Sequence, residues 1–189
     1  MRWICAIILA IVPALAAAQD LPAQLAKKVV SNPEKYLDDL VVIITGYGKD
    51  GAIDLAGLQT LVAMERAEAR ATGFWRLQDA DLNGDGAIAG DEMRTKAAAS
   101  AAPARGRLIL YFGKADANAD GQVSAPELQA YANAVALDFF SEDRAAQLYT
   151  VMAFDKNGDG RVTLVEAKEI IAVTLARVAQ EKASKGKKI

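Results

Sequence analysis

The chain has no histidine, and its one cysteine, Cys5, lies inside an apolar leader. These absences remove the commonest general base and the thiol nucleophile. Serines and threonines are scattered without a partner base, so the sequence is not read as that of an enzyme. Once the leader is removed no disulfide can form, which an oxidising compartment permits. Aromatic residues make up only 6% of the chain, and with alanine abundant this points to helices rather than sheets. The formal net charge is −2, so no basic face marks a nucleic-acid partner. Methionine is sparse as well: beyond Met1 there are only Met64, Met93 and Met152.

What is present bounds the architecture. With 189 residues, 52% hydrophobic and 24% charged, the chain can build one domain or two small lobes. Residues 1–18 read as a signal peptide: Arg2 precedes an apolar run, and Ala16 and Ala18 form an A-x-A cleavage site before Gln19. The expected product is periplasmic or secreted. An uncleaved membrane anchor is the alternative, but the run is short for a span and Pro13 interrupts it.

Three twelve-residue stretches dominate the rest, beginning at Asp81, Asp116 and Asp155. Each has Asp, Asn and Asp at its first, third and fifth positions, Gly at the sixth, a β-branched apolar residue at the eighth and Glu at the twelfth. That alternation of oxygen donors suits a hard cation such as Ca2+, with the glycine giving the sharp turn. The candidate ligands are Asp81, Asn83, Asp85, the Ala87 carbonyl and Glu92. In the next loop they are Asp116, Asn118, Asp120, the Gln122 carbonyl and Glu127. In the last they are Asp155, Asn157, Asp159, the Arg161 carbonyl and Glu166. The ninth positions hold Ala89, Ser124 and Thr163, of which Thr163 could ligate directly or hold a water. Without an acid there, a dissociation constant on the order of 10^-6 to 10^-4 M is expected. The bidentate Glu favours Ca2+ over Mg2+, which keeps near-octahedral geometry.

On these motifs the chain resembles the EF-hand family, in the four-hand arrangement typified by calmodulin, over nearly everything after residue 30. The resemblance implies an all-α fold of two pairs of helix–loop–helix units, with short two-stranded bridges between paired loops. It implies that Ile53 faces Ile88 and that Val123 faces Val162. Aligned to the family frame, residues 46–57 form a fourth, degenerate loop. Gly46, Gly48 and Gly57 stand at the first, third and twelfth places, leaving only Asp50 among the principal ligands, with Asp54 at the ninth place. Such a loop keeps its fold as a structural mate and loses its metal.

Between the loops, Asp20 is expected to cap a short helix to about Val30. A second helix starts with Ser31 in a capping box, or with Asn32 as cap and Pro33 at the first helical position. Thr72-Gly73 reads as a joint between hands. Pro103 places a lobe boundary at 98–105, giving a first pair over 19–102 and a second over 103–180. Residues 181–189 read as a Lys-rich, solvated tail, with weak contact to an acidic membrane surface as its other use. The partners expected are calcium ions, since no protein partner can be read from the residues. Two roles fit: a calcium buffer or calcium-stabilised protein, and a sensor that opens a groove. The scarcity of methionine favours the first, because sensor grooves are Met-rich.

Overall fold

The structure, a computed structural model, describes residues 21–186. The leader expected at 1–18 and Asp20 lie outside those residues. Among the described residues no helix is long and apolar enough to cross a membrane.

Among the described residues eight α-helices, two short 3-10 turns and two short strands follow in order. Helix α1 spans Ala23–Ser31 and α2 spans Pro33–Tyr47. Of the two starts open to α2, the structure takes the second: Asn32 Oδ1 accepts from the Lys35 N–H at 3.1 Å, with Pro33 beginning the helix. Helix α1 starts at Pro22 without a side-chain cap. Strand β1, Ala52–Asp54, leads into α3, Leu55–Trp75. Helices α4, Gly90–Ala98, and α5, Ala102–Ala115, flank the second and third loops. Helix α6, Ala125–Phe139, is followed by α7, Glu142–Tyr149, which Ser141 caps through the Arg144 N–H. Strand β2, Arg161–Thr163, opens into α8, Leu164–Gly186.

The pairing of the loops differs from the calmodulin-like expectation. Strand β1 pairs antiparallel with β2, setting Ile53 opposite Val162, and Ile88 bridges Val123. Counted in chain order, the first loop (46–57) therefore pairs with the fourth (155–166), and the second (81–92) with the third (116–127). Two cores follow this nesting. One joins Leu40, Ile44, Ile53 and Leu58 to Phe154, Val162, Ile170 and Ile171. The other joins Leu77 and Ile88 to Leu108, Phe112, Val123 and Leu128. Both cores draw on residues from each side of the boundary expected at 98–105, so the division into 19–102 and 103–180 does not describe the packing. Pro103 starts α5 rather than ending a lobe, since its missing N–H costs nothing in a first turn.

The reason for the nested order lies in α3 and α6. Helix α3 runs unbroken through Thr72 and Gly73, so the expected joint is absent. Gly73 is instead a point of close approach: a Cβ there would lie 2.7 Å from the Ala132 Cα of α6. Only glycine lets the two backbones meet at this distance. Beside the crossing, an Arg66–Glu142 ion pair of 2.8 Å joins α3 to α7, and Arg76, just after α3, lies over the Tyr111 ring of α5 and the Phe139 ring of α6. Helix α1 adds a feature that the loop motifs did not announce. Its Leu25 and Val29, with Leu21 just before it, are buried in the core of the first and fourth hands. At the other end, α8 continues through 181–186, where a solvated tail was expected.

Candidate metal centre

Each of the three intact loops is closed by its own hydrogen bonds, and the pattern repeats nearly atom for atom. The first aspartate takes the sixth-position glycine N–H: Asp81 from Gly86 at 3.0 Å, Asp116 from Gly121 at 3.0 Å, Asp155 from Gly160 at 2.8 Å. The asparagine oxygen accepts the N–H of the following aspartate at 2.8, 2.9 and 2.8 Å. Its amide in turn donates to that aspartate's carboxylate at 2.9, 2.9 and 3.0 Å. The same aspartate accepts the seventh-position N–H of Ala87, Gln122 and Arg161. The glutamate then reaches back to the loop's start. Glu92 Oε1 accepts from Leu82 and Asn83, Glu127 Oε1 from Ala117 and Asn118, and Glu166 Oε1 from Lys156 and Asn157. The structure thus draws the expected side chains of each loop, first, third, fifth and twelfth, into one closed ring.

The sixth-position glycines hold φ of 83°, 83° and 80°, a region closed to most side chains. At the fourth position Gly84 and Gly158 also have positive φ, whereas the third loop has Ala119 at φ 58°. Gly84 and Gly158 donate to the first aspartate at 2.7 and 2.8 Å.

The ninth position has a role that the sequence reading missed. The Ser124 hydroxyl donates to Glu127 Oε2 at 2.7 Å, and the Thr163 hydroxyl to Glu166 Oε2 at 2.8 Å. The backbone N–H groups of Ser124 and Thr163 donate to the same oxygens. Thr163, expected to ligate or hold a water, here positions the closing glutamate. The signal was available: Ser124 and Thr163 each stand three residues before a Glu at a helix start, the capping-box spacing. Ala89 offers only its backbone N–H, to Glu92 Oε2 at 2.9 Å. The Glu127 carboxyl is held below its ordinary 4.5, chiefly by the Ser124 N–H and then by the Ser124 hydroxyl. That of Asp85 is lowered first by the Ala87 N–H, then by Asn83.

The donor set fits a calcium ion. Every candidate ligand is an oxygen, as a hard cation requires. Among the described residues no three acidic side chains converge closely enough to hold a metal ion by themselves; the Asp and Glu carboxylates of each loop are tied to its backbone N–H groups instead. The ring is mixed, and its asparagine and carbonyl oxygens belong to the donor set. Among the same residues, none of the ion pairs formed by lysine and arginine involves these carboxylates. A bound Ca2+ would supply the charge that the three carboxylates of each loop lack.

The family model described as EF hand matches residues 76–95 and 108–130. Two of the loops thus match the EF-hand model. These matches support an EF-hand protein and indicate calcium binding. They cover the loops at 81–92 and 116–127, while the loop at 155–166 lies outside both and rests on its repeat of the same hydrogen bonds. Neither the curated proteins nor the solved structures gave a match.

The first loop in chain order, 46–57, folds differently. Helix α2 extends through Tyr47, so the first two places of the EF-hand frame are helical. Lys49 and Ala52 then exchange backbone hydrogen bonds of 2.8 and 3.1 Å around Asp50 and Gly51, both at positive φ. This is a tight two-residue hairpin with the Asp-Gly turn such hairpins favour. A Cβ on Gly48 would strike the carbonyl oxygens of Ile44 and Ala52, and one on Gly57 the Ile53 side chain and the Tyr47 carbonyl. Asp54 caps α3, its Oδ1 accepting from the Gly57 N–H at 2.8 Å. The glycines that removed ligands also let the loop close on itself.

Proposed function

We propose that this chain is an exported calcium-binding protein with three sites, at 81–92, 116–127 and 155–166, acting as a buffer or as a calcium-stabilised protein. The observation that carries the reading is the common ring of oxygen donors closed by Glu92, Glu127 and Glu166. Within it, the side chains of the Asp, Asn, Asp and Glu positions and the seventh-position carbonyls hold the ion. Export rests on the A-x-A site after the interrupted apolar run. No enzymatic role forms part of the reading.

The buffer role is supported by α1. Its apolar face already fills part of the surface that a sensor would offer, and Lys28 ties it to Gln147 of α7 at 2.6 Å. One observation favours a sensor: a cavity of about 500 Å³ beside α1, lined by Leu25, Leu40, Ile43, Leu61, Phe140 and Leu148. A calcium titration by calorimetry tests the reading. Saturation at three ions per chain, without a rise in apolar-dye fluorescence, is expected. No uptake would overturn it, and a fourth ion lost in Asp50→Ala would overturn the account of the first loop. Calcium-dependent dye binding would favour the sensor.

A further inference from the structure

We infer that the Arg161 side chain is a positioning residue for the calcium site at 155–166, acting as a protein-supplied cation that closes the collapsed first loop. The inference rests on the reading of 155–166 as a calcium site. Arg161 Nη2 donates to the Lys49 carbonyl at 2.6 Å, across 112 residues of sequence. That carbonyl lies just beyond the last residue of α2, Tyr47, at the negative end of the helix dipole, where a cation is favoured. In an intact hand the metal-bearing loop follows this helix end. Here the hairpin has no ring of oxygens, and a guanidinium from the partner loop takes up the charge.

Arg161 acts on the calcium ring from its other side. Its N–H donates to Asp159 Oδ1 at 2.8 Å, and its own carbonyl is the seventh-position donor. The residue is also the first of β2, in register with Asp54 of β1. One residue is therefore fixed by its side chain to the first loop, by its strand to β1, and by its backbone to the calcium ring. Fixing it before the ion arrives lowers the ordering that binding must impose. The corresponding residues Ala87 and Gln122 make no such side-chain bond across to the facing loop.

The substitution Arg161→Ala keeps the backbone carbonyl, so a change in affinity cannot come from a lost ligand. In the full chain carrying Glu92→Gln and Glu127→Gln, only the site at 155–166 remains to be titrated. Arg161→Ala should weaken that site about five- to tenfold, the upper part of the range of a single ordinary hydrogen bond. Arg161→Lys keeps a cationic donor and should recover most of the loss. Titrations are run well below the melting temperature, so that a loss of stability alone does not enter. Affinity unchanged within twofold in Arg161→Ala, or no recovery by lysine, would overturn the inference. A background chain that takes up no calcium would instead overturn the site reading. In that case hydrogen exchange at Lys49 and Ala52 in chelator still tests the lock: Arg161→Ala should speed it, and unchanged exchange would overturn it.

Discussion

The two pairs of hands differ in what holds them together. The pair built from the second and third hands has two rings of carboxylates joined by one bridge, the reciprocal Ile88–Val123 hydrogen bonds of 2.8 and 2.9 Å. The pair built from the first and fourth hands has one ring, a ladder of three residues per strand, the Arg161–Lys49 bond and the added apolar face of α1. Without metal, the first arrangement carries two sets of like charges, one on each side of its bridge, and the second carries one. Repulsion between unit charges a few ångströms apart costs on the order of a few kcal/mol near a protein surface. On the proposed reading, the loss of ligands from the first loop should leave one pair less dependent on calcium than the other.

The largest effect should come from the core of the pair with one ring. Phe154 is fully buried and packs on Tyr36 at a ring separation of 5.7 Å. Phe154→Ala should cost about 3–5 kcal/mol, read as a fall in melting temperature in chelator. A fall of a degree or less would show that this core does not carry the metal-free state. The burial that makes this core also pushes the Tyr36 hydroxyl up to about 12, with Asp39 adding to the shift.

Coupling between sites comes next. Glu127→Gln should weaken its own site more than tenfold, or ~1.4 kcal/mol, and should also weaken the site at 81–92 through the Ile88–Val123 bridge. Glu166→Gln should weaken its own site alone, because its partner loop has no ring. Calorimetric titration of both variants checks this. Weakening of 155–166 by Glu127→Gln would restore the sequential pairing that the strand register contradicts.

Smaller effects separate the loops themselves. Ala119 has positive φ where the other two loops have glycine, so Ala119→Gly should stabilise the protein by about 1 kcal/mol. Thermal melts in chelator would register it as a rise. The lowered Glu127 carboxyl gives a pH effect of definite sign. Its contribution to stability is complete above the ordinary value of 4.5 and is lost as pH falls through the lower, folded-state value. Ser124→Ala should shift that loss to higher pH, as acid unfolding curves would show.

The candidate ring of oxygen donors was the most legible part of the sequence, because its pattern is local. Oxygen donors at fixed spacing around a glycine need no distant residue to be recognised, and Asp155 to Glu166 carry the whole pattern. Which loop faces which was not legible. Ile53, Ile88, Val123 and Val162 are equivalent as eighth-position residues, and only the α3–α6 crossing at Gly73 and Ala132 distinguishes the nested order from the sequential one. Gly73 was visible as an unusual helix residue, but a glycine signals a joint and a close contact equally well. Helix α1 was anticipated as a helix, while its insertion into the core of the first and fourth hands depends on surfaces contributed by α2 and α8. The hairpin at 49–52 was hidden by alignment to the EF-hand frame, although Asp50-Gly51 is itself a turn signal.

The most direct test of the contrast between the pairs is backbone hydrogen exchange in chelator and in calcium, read at residues 52–54 and 161–163 against Ile88 and Val123. In chelator the hydrogen-bonded amides of the β1–β2 ladder should remain protected while those of Ile88 and Val123 exchange quickly, and calcium should slow Ile88 and Val123 by more than tenfold. Equal protection of both bridges in chelator, or no response of Ile88 and Val123 to calcium, would contradict the account.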